Sequence, residues 1–416
     1  MARKPVSRWL SALALAMAVP VTAAQAAGIS DDEVRIGLLS DFMSIYRNVG
    51  RGAEAAAEMA IEDFGGTVLG KKVRLYTRDH KIDAEVAMKH AKELHEQHKV
   101  DAFLEMVGTN VAVPLQKYAA ENNILALHTG TASSILTGSA CSPVGVHWVY
   151  DSYALSAGTA AAIMKQGGDS WFFITADNTF GKVLQADASS VITKMGGKVV
   201  GTAFHPFKAK DFSTQLLQAK ASGAKVIGLA TAGDDLNALL RQAYELDMMS
   251  GEQIMAGLLV AEDVPRAVGL YVAAGLKLTT GWNWQLNAET RDWATRFRKR
   301  TGFGGSMYTA GVYSAVTHYL KAIEAAGTDD AKTVVAKMRE LPVNDVFAKG
   351  GKLRPDGRMV HDMYLAEIRR ASDSREAFDH YKILDIIPGD QAFRPMAEGG
   401  CPLVKSTASA GEGKNG

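Results

Sequence analysis

Hydrophobic and polar positions fall into blocks that switch between strand-sized and helix-sized lengths. Val34-Arg-Ile-Gly-Leu-Leu39 is a short, mostly apolar run and reads as a buried strand. Residues 52–64 read as a helix, because Glu54, Glu58 and Glu62 recur at four-residue steps and share one solvated face. Residues 73–76 alternate like a strand, 84–98 read as a helix rich in Lys, Glu and His, 100–107 as a strand, 111–122 as a helix and 124–127 as a strand. Strands and helices in alternation predict a parallel sheet covered on both faces.

The pattern restarts near residue 153. Helices are expected at 153–165, 181–195, 212–221 and 236–246, interleaved with strands at 171–175, 199–204, 226–230 and 254–259. A second parallel sheet follows from the same rule. Beyond Gly281 the pattern becomes helical, at 288–300, 308–326 and 328–341, and two strands, 363–369 and 381–387, close the chain. Two doubly wound lobes predict a cleft between them, and in such sheets ligands sit beyond the carboxyl ends of the strands.

The start of the chain follows a different logic. Arg3, Lys4 and Arg8 precede an apolar run, 9–21, that is short of the ~20 residues a membrane span needs. Ala24-Gln-Ala26 supplies small residues for cleavage. This is the three-part pattern of a secretory leader, cut near Ala26, so the mature chain is expected in the periplasm. No cysteine stands at the cleavage site to carry a lipid.

Composition then narrows the classes. The 416 residues allow two domains at about one per 150, and 47% hydrophobic residues can fill two cores. A formal charge of +1, which includes the three basic residues of the leader, is too small to track a phosphate backbone, so no nucleic acid partner is expected. The two cysteines, Cys141 and Cys401, lie in the exported part, where oxidising conditions favour pairing. Their bridge would tie the C-terminal tail to the first half.

Three strand-to-helix loops concentrate the candidate chemistry: Ser40-Asp-Phe-Met-Ser-Ile-Tyr46, Gly108-Thr-Asn-Val-Ala112 and His128-Thr-Gly-Thr-Ala-Ser-Ser134. All three are expected on one rim of the first sheet. The last two are small, polar and precede helices, whose first amides are free and carry partial positive charge suited to a carboxylate. Thr109, Asn110 and Ser133 could equally be helix caps. The shared rim favours a site. Aromatic residues gather at the equivalent rims: Phe42, Tyr46, Phe180, Trp282 and Trp284. Aromatic walls suit flat or apolar ligands, with core packing as the competing role for each.

Catalytic signatures are missing. No Gly-x-Gly-x-x-Gly follows the first strand, and neither a phosphate-binding Gly-Lys-Ser nor a Gly-x-Ser-x-Gly elbow occurs. His90, His95 and His98 share a predicted helix, but no carboxylate or cysteine completes a metal motif, and a solvated face is the expected role. No metal and no cofactor are expected.

Taken in order and spacing, these segments resemble the type I periplasmic binding proteins of ABC transporters, in the branched-chain amino acid receptor group. The first strand with its Ser-Asp-x-x-Ser-x-Tyr loop carries the resemblance, with Gly52-Ala-Glu-Ala-Ala, Asp177-Asn-Thr-Phe-Gly181, Gly281-Trp-Asn-Trp-Gln-Leu-Asn-Ala-Glu-Thr290 and Gly311-Val-Tyr-Ser-Ala-Val-Thr-His-Tyr-Leu320. It implies an α/β fold of two doubly wound lobes joined by three crossovers, near Tyr150, Gly281 and His361. The leader is then 1–27, lobe one 28–150 with 282–360, and lobe two with the tail 151–281 with 361–405. Residues 406–416 are expected to be disordered. The lobes would hinge shut on a ligand, without covalent chemistry.

The resemblance also assigns roles. The family's carboxylate-binding serine falls within Thr109-Asn110-Val111. Its second anchoring loop matches Gly130-Thr131-Ala132-Ser133, with the amides of Thr131 and Ala132 as donors. The lobe-two aromatic matches Phe180 and the lobe-one tyrosine matches Tyr46. The glutamate that holds the ammonium in amino acid receptors falls on Leu259, and a second family acid survives as Asp234. A buried ammonium without a carboxylate is costly, so the leucine argues against an α-amino acid. The Gly-Trp-x-Trp segment resembles a soil-bacterial subgroup that takes up aromatic or other organic acids.

The expected function is the periplasmic substrate-binding component of an ABC importer, a monomer that captures a small organic carboxylate and docks on permease transmembrane subunits. Tyr46, Phe180 and Trp284, with Phe42 nearby, would wall the ligand. The alternatives are a branched-chain or other amino acid receptor, a sensor feeding a regulator, and a hydrolase or lyase on a similar scaffold.

Overall fold

Two parallel sheets organise the computed structural model, which describes residues 1–2 and 28–404. The expected cleavage near Ala26 and the expected disordered end, 406–416, lie outside the described residues. The chain first builds β1 (Glu33–Ser40), α1 (Arg47–Asp63), β2 (Thr67–Val68), β3 (Lys71–Asp79), α2 (Ala84–Glu96), β4 (Ala102–Glu105), α3 (Thr109–Glu121), β5 (Leu125–His128) and β6 (Gly145–His147). These strands form one sheet in the order β2-β3-β1-β4-β5-β6, parallel except for the edge strand β2. The buried runs of β1, β4 and β5 are apolar almost throughout, as a sheet covered on both faces requires.

The second lobe continues with α4 (Ser152–Lys165), β7 (Ser170–Ala176), α5 (Thr179–Lys194), β8 (Lys198–His205), α6 (Ser213–Ala221), β9 (Val226–Ala230) and α7 (Gly233–Glu245). It then adds β10 (Ile254–Gly257), α8 (Val264–Val268), α9 (Leu270–Ala273) and β11 (Lys277–Thr280). The chain returns to lobe one as α10 (Ala288–Thr301), α11 (Met307–Ala326), α12 (Ala331–Glu340), β12 (Val343–Asn344), β13 (Lys349–Leu353) and β14 (Met359–Val360). It finishes with β15 (Met363–Ile368), β16 (Tyr381–Ile387) and α13 (Gly389–Ala392). The second sheet runs β16-β15-β11-β10-β9-β7-β8, with β15 alone antiparallel to its neighbours on both sides. The fold is therefore α/β with two lobes.

The chain passes between lobes after β6, after β11 and after β14. Arg358 sits fully buried at this crossing: its guanidinium donates to the carbonyls of Tyr150 (2.8 Å) and Trp148 and lies over the Phe393 ring. His361 Nε2 meets the Val149 carbonyl at 2.6 Å. Lobe one is completed by α11 on α1, where a Cβ on Gly52 would approach Thr309 Cγ2 to 2.7 Å. The small antiparallel sheet β12-β13-β14 was not expected from the sequence, because its short strands depend on pairing with one another and not on a local apolar pattern.

The segment after β16 turns back to lobe one. Arg394 donates to the Ser134 carbonyl at 3.1 Å, Arg354 to the Arg394 carbonyl at 2.9 Å, and Cys401 is bonded to Cys141. No helix among the described residues is long and apolar enough to cross a membrane.

Candidate functional site

The carboxyl ends of β1, β4 and β5 are neighbours in one sheet, and those of β7, β9 and β10 are neighbours in the other. Their loops face each other across a cavity of about 330 Å³. Ile45, Tyr46, Thr109, Asn110, Gly130 and Ala132 line it from lobe one; Phe180, Phe207, Asp234, Asn237 and Leu259 line it from lobe two.

The first loop is shaped by one carboxylate. Asp41 accepts from the amides of Ser44 (2.8 Å) and Tyr46 (2.8 Å) and from the Ser44 hydroxyl (2.6 Å). Burial pushes Asp41 up, but these bonds and the Met43 amide outweigh it and hold the carboxyl below its ordinary value. The Ser-Asp-x-x-Ser-x-Tyr motif is thus a structural turn that delivers Tyr46 to the cavity. It also lets α1 begin at Arg47, five residues before the sequence pattern indicates.

The second and third loops supply donors. Gly108, at φ +98°, lets the chain turn from β4 into α3. Among the described residues, the amides of Thr109, Asn110, Thr131 and Ala132 find no protein acceptor, and the buried Thr109 hydroxyl is also unpartnered. Free amides at the start of a helix suit an anion, and Thr109 and Asn110 stand in the first turn of α3. The third loop does not precede the expected helix: it leads into a 3-10 turn, Ser134–Thr137, so the amides of Thr131 and Ala132 are free loop amides. Below them, Glu105 is fully buried: its Oε2 accepts from the Val107 amide at 3.0 Å, and burial raises its pKa to about 8. Its neighbour Gly130 has no room for a side chain, since a Cβ there would lie 1.6 Å from Glu105 Oε1.

Tyr150 and Tyr308 also line the cavity, with rings packed edge to face at 5.3 Å. Burial raises both phenols well above their ordinary range, and that of Tyr46 likewise. Three flat, neutral rings therefore frame the space from lobe one. Asn237 adds a buried Oδ1 with no partner. Tyr150, Tyr308 and Asn237 were missed by the sequence reading. Tyr150 lies at a crossover, Tyr308 in a helix far along the chain, and Asn237 inside an amphipathic helix where nothing local marks it.

The lobes meet over the cavity. Arg47 pairs with Asp234 at 2.5 Å, Asn48 Nδ2 donates to Asp263 Oδ2 at 2.8 Å, and the Met307 amide donates to Glu262 Oε1 at 3.0 Å. Gly233, at φ +64°, packs so closely that a Cβ would lie 2.8 Å from a Tyr46 ring carbon.

Of the residues proposed from sequence, Tyr46, Thr109, Asn110, Ala132, Phe180 and Asp234 line the cavity together. Thr131 does so only through its neighbours: its hydroxyl is spent on the Met106 carbonyl, leaving its amide. Val111 is fully buried in the core beneath α3, and Ser133 is buried beside Ala132. Phe42 packs on the hydrophobic core instead of the cavity. Trp284 does not wall this cavity either. It is 8% exposed, donates from Nε1 to the Phe378 carbonyl at 3.0 Å, and lines a smaller neighbouring compartment.

No group of three or more His, Cys, Asp or Glu side chains poised for a metal occurs among the described residues. The three histidines are otherwise engaged, and only two share α2: His90 lies beside Glu93 and His95 beside Tyr118, while His98, past the end of the helix, lies beside the guanidinium of Arg78.

Comparisons with known proteins agree with this architecture. Residues 33–374 match the sequence model of a periplasmic binding protein family. A crystal structure of a periplasmic binding protein from Burkholderia mallei superposes with a TM-score of 0.87 at 39% identity, covering 90% of this chain and 100% of that one. A branched chain amino acid ABC transporter periplasmic ligand-binding protein from Burkholderia xenovorans superposes with a TM-score of 0.81 at 32% identity, covering 89% of this chain and 100% of that one. A curated relative, an amino acid binding protein of Pseudomonas aeruginosa, is 24% identical over 309 residues, which are 72% of this chain and 79% of the relative.

Proposed function

The chain belongs to the type I periplasmic binding proteins of the branched-chain amino acid ABC transporter type, and on that premise we propose that it captures a small organic carboxylate, aromatic acids foremost, for an importer. The family and fold are those of non-enzymatic solute-binding proteins of the periplasm. Delivery to the transmembrane subunits of a permease is part of the proposal and rests on the family.

One arrangement carries the ligand class. Four unpaired amides, of Thr109, Asn110, Thr131 and Ala132, gather at the lobe-one rim, while the lobe-two wall offers Leu259 where an ammonium partner would be needed. Asp234, the other family acid, already pairs with Arg47. A carboxylate without an α-amine fits this distribution, and Tyr46, Phe180 and Tyr308 suit a flat body. The Glu105 carboxyl, neutral at pH 7 if it holds its proton to about 8, does not repel the anion from below.

A second reading has its own support. Asp263 lines the cavity with only the neutral Asn48 amide as side-chain partner, so it could receive the ammonium of an amino acid. A thermal-shift panel of benzoate, butyrate, 4-methylpentanoate and leucine, followed by calorimetry, separates the two. Ligands that bind only the folded state raise the melting temperature with affinity and concentration. Under the carboxylate reading the amine-free acids raise the melting temperature and leucine does not. The reverse pattern would establish the second reading in its place.

A further inference from the structure

Beside the main cavity lies a second, smaller one of about 70 Å³, which shares Asn48, Val49, Ala261, Asp263 and Tyr308 with it. Aromatic residues, among them Trp284, Phe303 and Phe378, supply much of its remaining lining. Glu262 lines this smaller cavity, between the shared residues Ala261 and Asp263 in the chain. Its Oε1 is held by the Met307 amide (3.0 Å) and the Thr280 hydroxyl (3.3 Å), while its Oε2 is buried without any partner. A buried, unpartnered carboxyl oxygen on a residue that lines a cavity is costly unless something meets it.

We propose that this compartment is a second ligand subsite, in which Glu262 Oε2 reads a neutral hydroxyl on the far side of a carboxylate-bearing ligand. The proposal rests on the carboxylate reading of the main cavity. A cationic group is disfavoured there because the aromatic faces already serve two guanidiniums. Arg266 lies over Phe303 at 4.7 Å and Phe378 at 6.0 Å, and Arg298 over Phe378 at 4.6 Å and Trp284 at 5.6 Å. A further positive charge would meet those two, whereas a hydroxyl can both donate to and accept from a carboxyl group. Burial raises Glu262 to about 8, so it is the neutral acid that faces the ligand near pH 7. The space suffices for a hydroxyl and the ring edge that bears it, with small residues Gly304, Gly305 and Ser306 leaving the opening.

The test compares benzoate with 2-, 3- and 4-hydroxybenzoate by calorimetry on the full mature chain, wild type, Glu262→Met and Glu262→Gln. The expected result is that at least one hydroxybenzoate binds wild type tenfold or more tighter than benzoate. That ratio falls towards one in Glu262→Met and at least threefold in Glu262→Gln, which keeps an acceptor for the Met307 amide and so guards the fold. Binding of benzoate with no hydroxyl preference in wild type, or a ratio unchanged in whichever variant folds, overturns the subsite while leaving the main cavity as proposed. Failure of all four acids to bind overturns the aromatic-acid reading of the main cavity and the subsite with it, and butyrate and 4-methylpentanoate then decide the carboxylate reading itself.

Discussion

Arg47 Nη1 lies 2.5 Å from Asp234 Oδ2, and the two residues belong to opposite lobes. Arg47 opens α1 just after the turn that Asp41 organises; Asp234 lies in the first turn of α7. The pair spans the rim of the cavity and forms only when the lobes meet. Asn48 with Asp263 and the Met307 amide with Glu262 repeat the arrangement deeper in the cleft. Closure thus brings lobe-two acids onto lobe-one donors, which biases the closed state that a ligand selects.

Breaking that pair should loosen closure modestly. The two side chains are 40% and 44% exposed, so solvent screening limits the pair to about 0–1 kcal/mol. Asp234→Asn and Arg47→Gln should each weaken binding of a benzoate-type ligand by no more than roughly fivefold, mainly through faster release. Raising the salt should shrink the difference from wild type. Stopped-flow release rates at low and high salt check this. A much larger loss in Asp234→Asn than in Arg47→Gln would show instead that Asp234 touches the ligand.

Phe180 enters the cavity from the first turn of α5 and is only partly buried. Its removal deletes a wall without opening either main core. Phe180→Ala should weaken ligand binding roughly tenfold to a hundredfold, the scale of losing one aromatic contact face, while the melting temperature of the free protein moves little. Equal affinity for variant and wild type by calorimetry would remove Phe180 from the site.

Glu105 gives a pH dependence of definite sign. Its folded pKa, raised to about 8 by burial, exceeds the unfolded value of about 4.3. Between those values the folded state holds a proton that the unfolded state has lost, so its contribution is intact below about pH 4.3 and declines as pH rises towards 8. Glu105→Gln keeps the size and the acceptor for the Val107 amide and removes the titration. Melting temperatures measured from pH 5 to 8.5 should therefore fall more in wild type than in the variant. Parallel curves would mean that Glu105 is not protonated in the folded chain.

Much of the frame was legible because the central strands β1, β4, β5, β7 and β9 are local apolar runs, whereas the short edge strands β2 and β6 carry no such pattern and were not read. The carboxyl ends of β1, β4 and β5 follow from those runs, so the rim with Tyr46, Thr109 and Ala132 could be drawn from sequence. Side-chain direction could not. Trp282 and Trp284 sit two apart after β11, yet both turn away from the main cavity, Trp282 to the Val346 carbonyl and Trp284 to that of Phe378. Those acceptors are 64 and 94 residues away in the chain, and no local pattern encodes them. Tyr150 and Tyr308 escaped for the same reason: each is an ordinary aromatic in its own segment and becomes a cavity wall only when the lobes assemble. Glu262 was hidden because a lone acid after a strand reads as solvated.

The bond between Cys141 and Cys401 closes a loop of 260 residues and joins the end of the chain to lobe one. The segment leading to Cys401 leaves lobe two after β16, places Arg394 on the Ser134 carbonyl, and reaches back to lobe two through Glu398, which pairs with Lys194 at 2.6 Å. It therefore straps the two lobes on the side where the chain crosses between them. A loop of this length is worth about 5.6 kcal/mol in the chain-entropy model. That figure is an upper bound here, since the non-covalent contacts of the segment hold it in place without the bond. Cys141→Ser, Cys401→Ser and the double variant should lower the melting temperature by the same several degrees, because all three remove one bond, and a reductant should bring wild type to the same value. Were the single variants to differ sharply, or the reductant to leave wild type unchanged, the strap would owe its place to Arg394 and Glu398 alone.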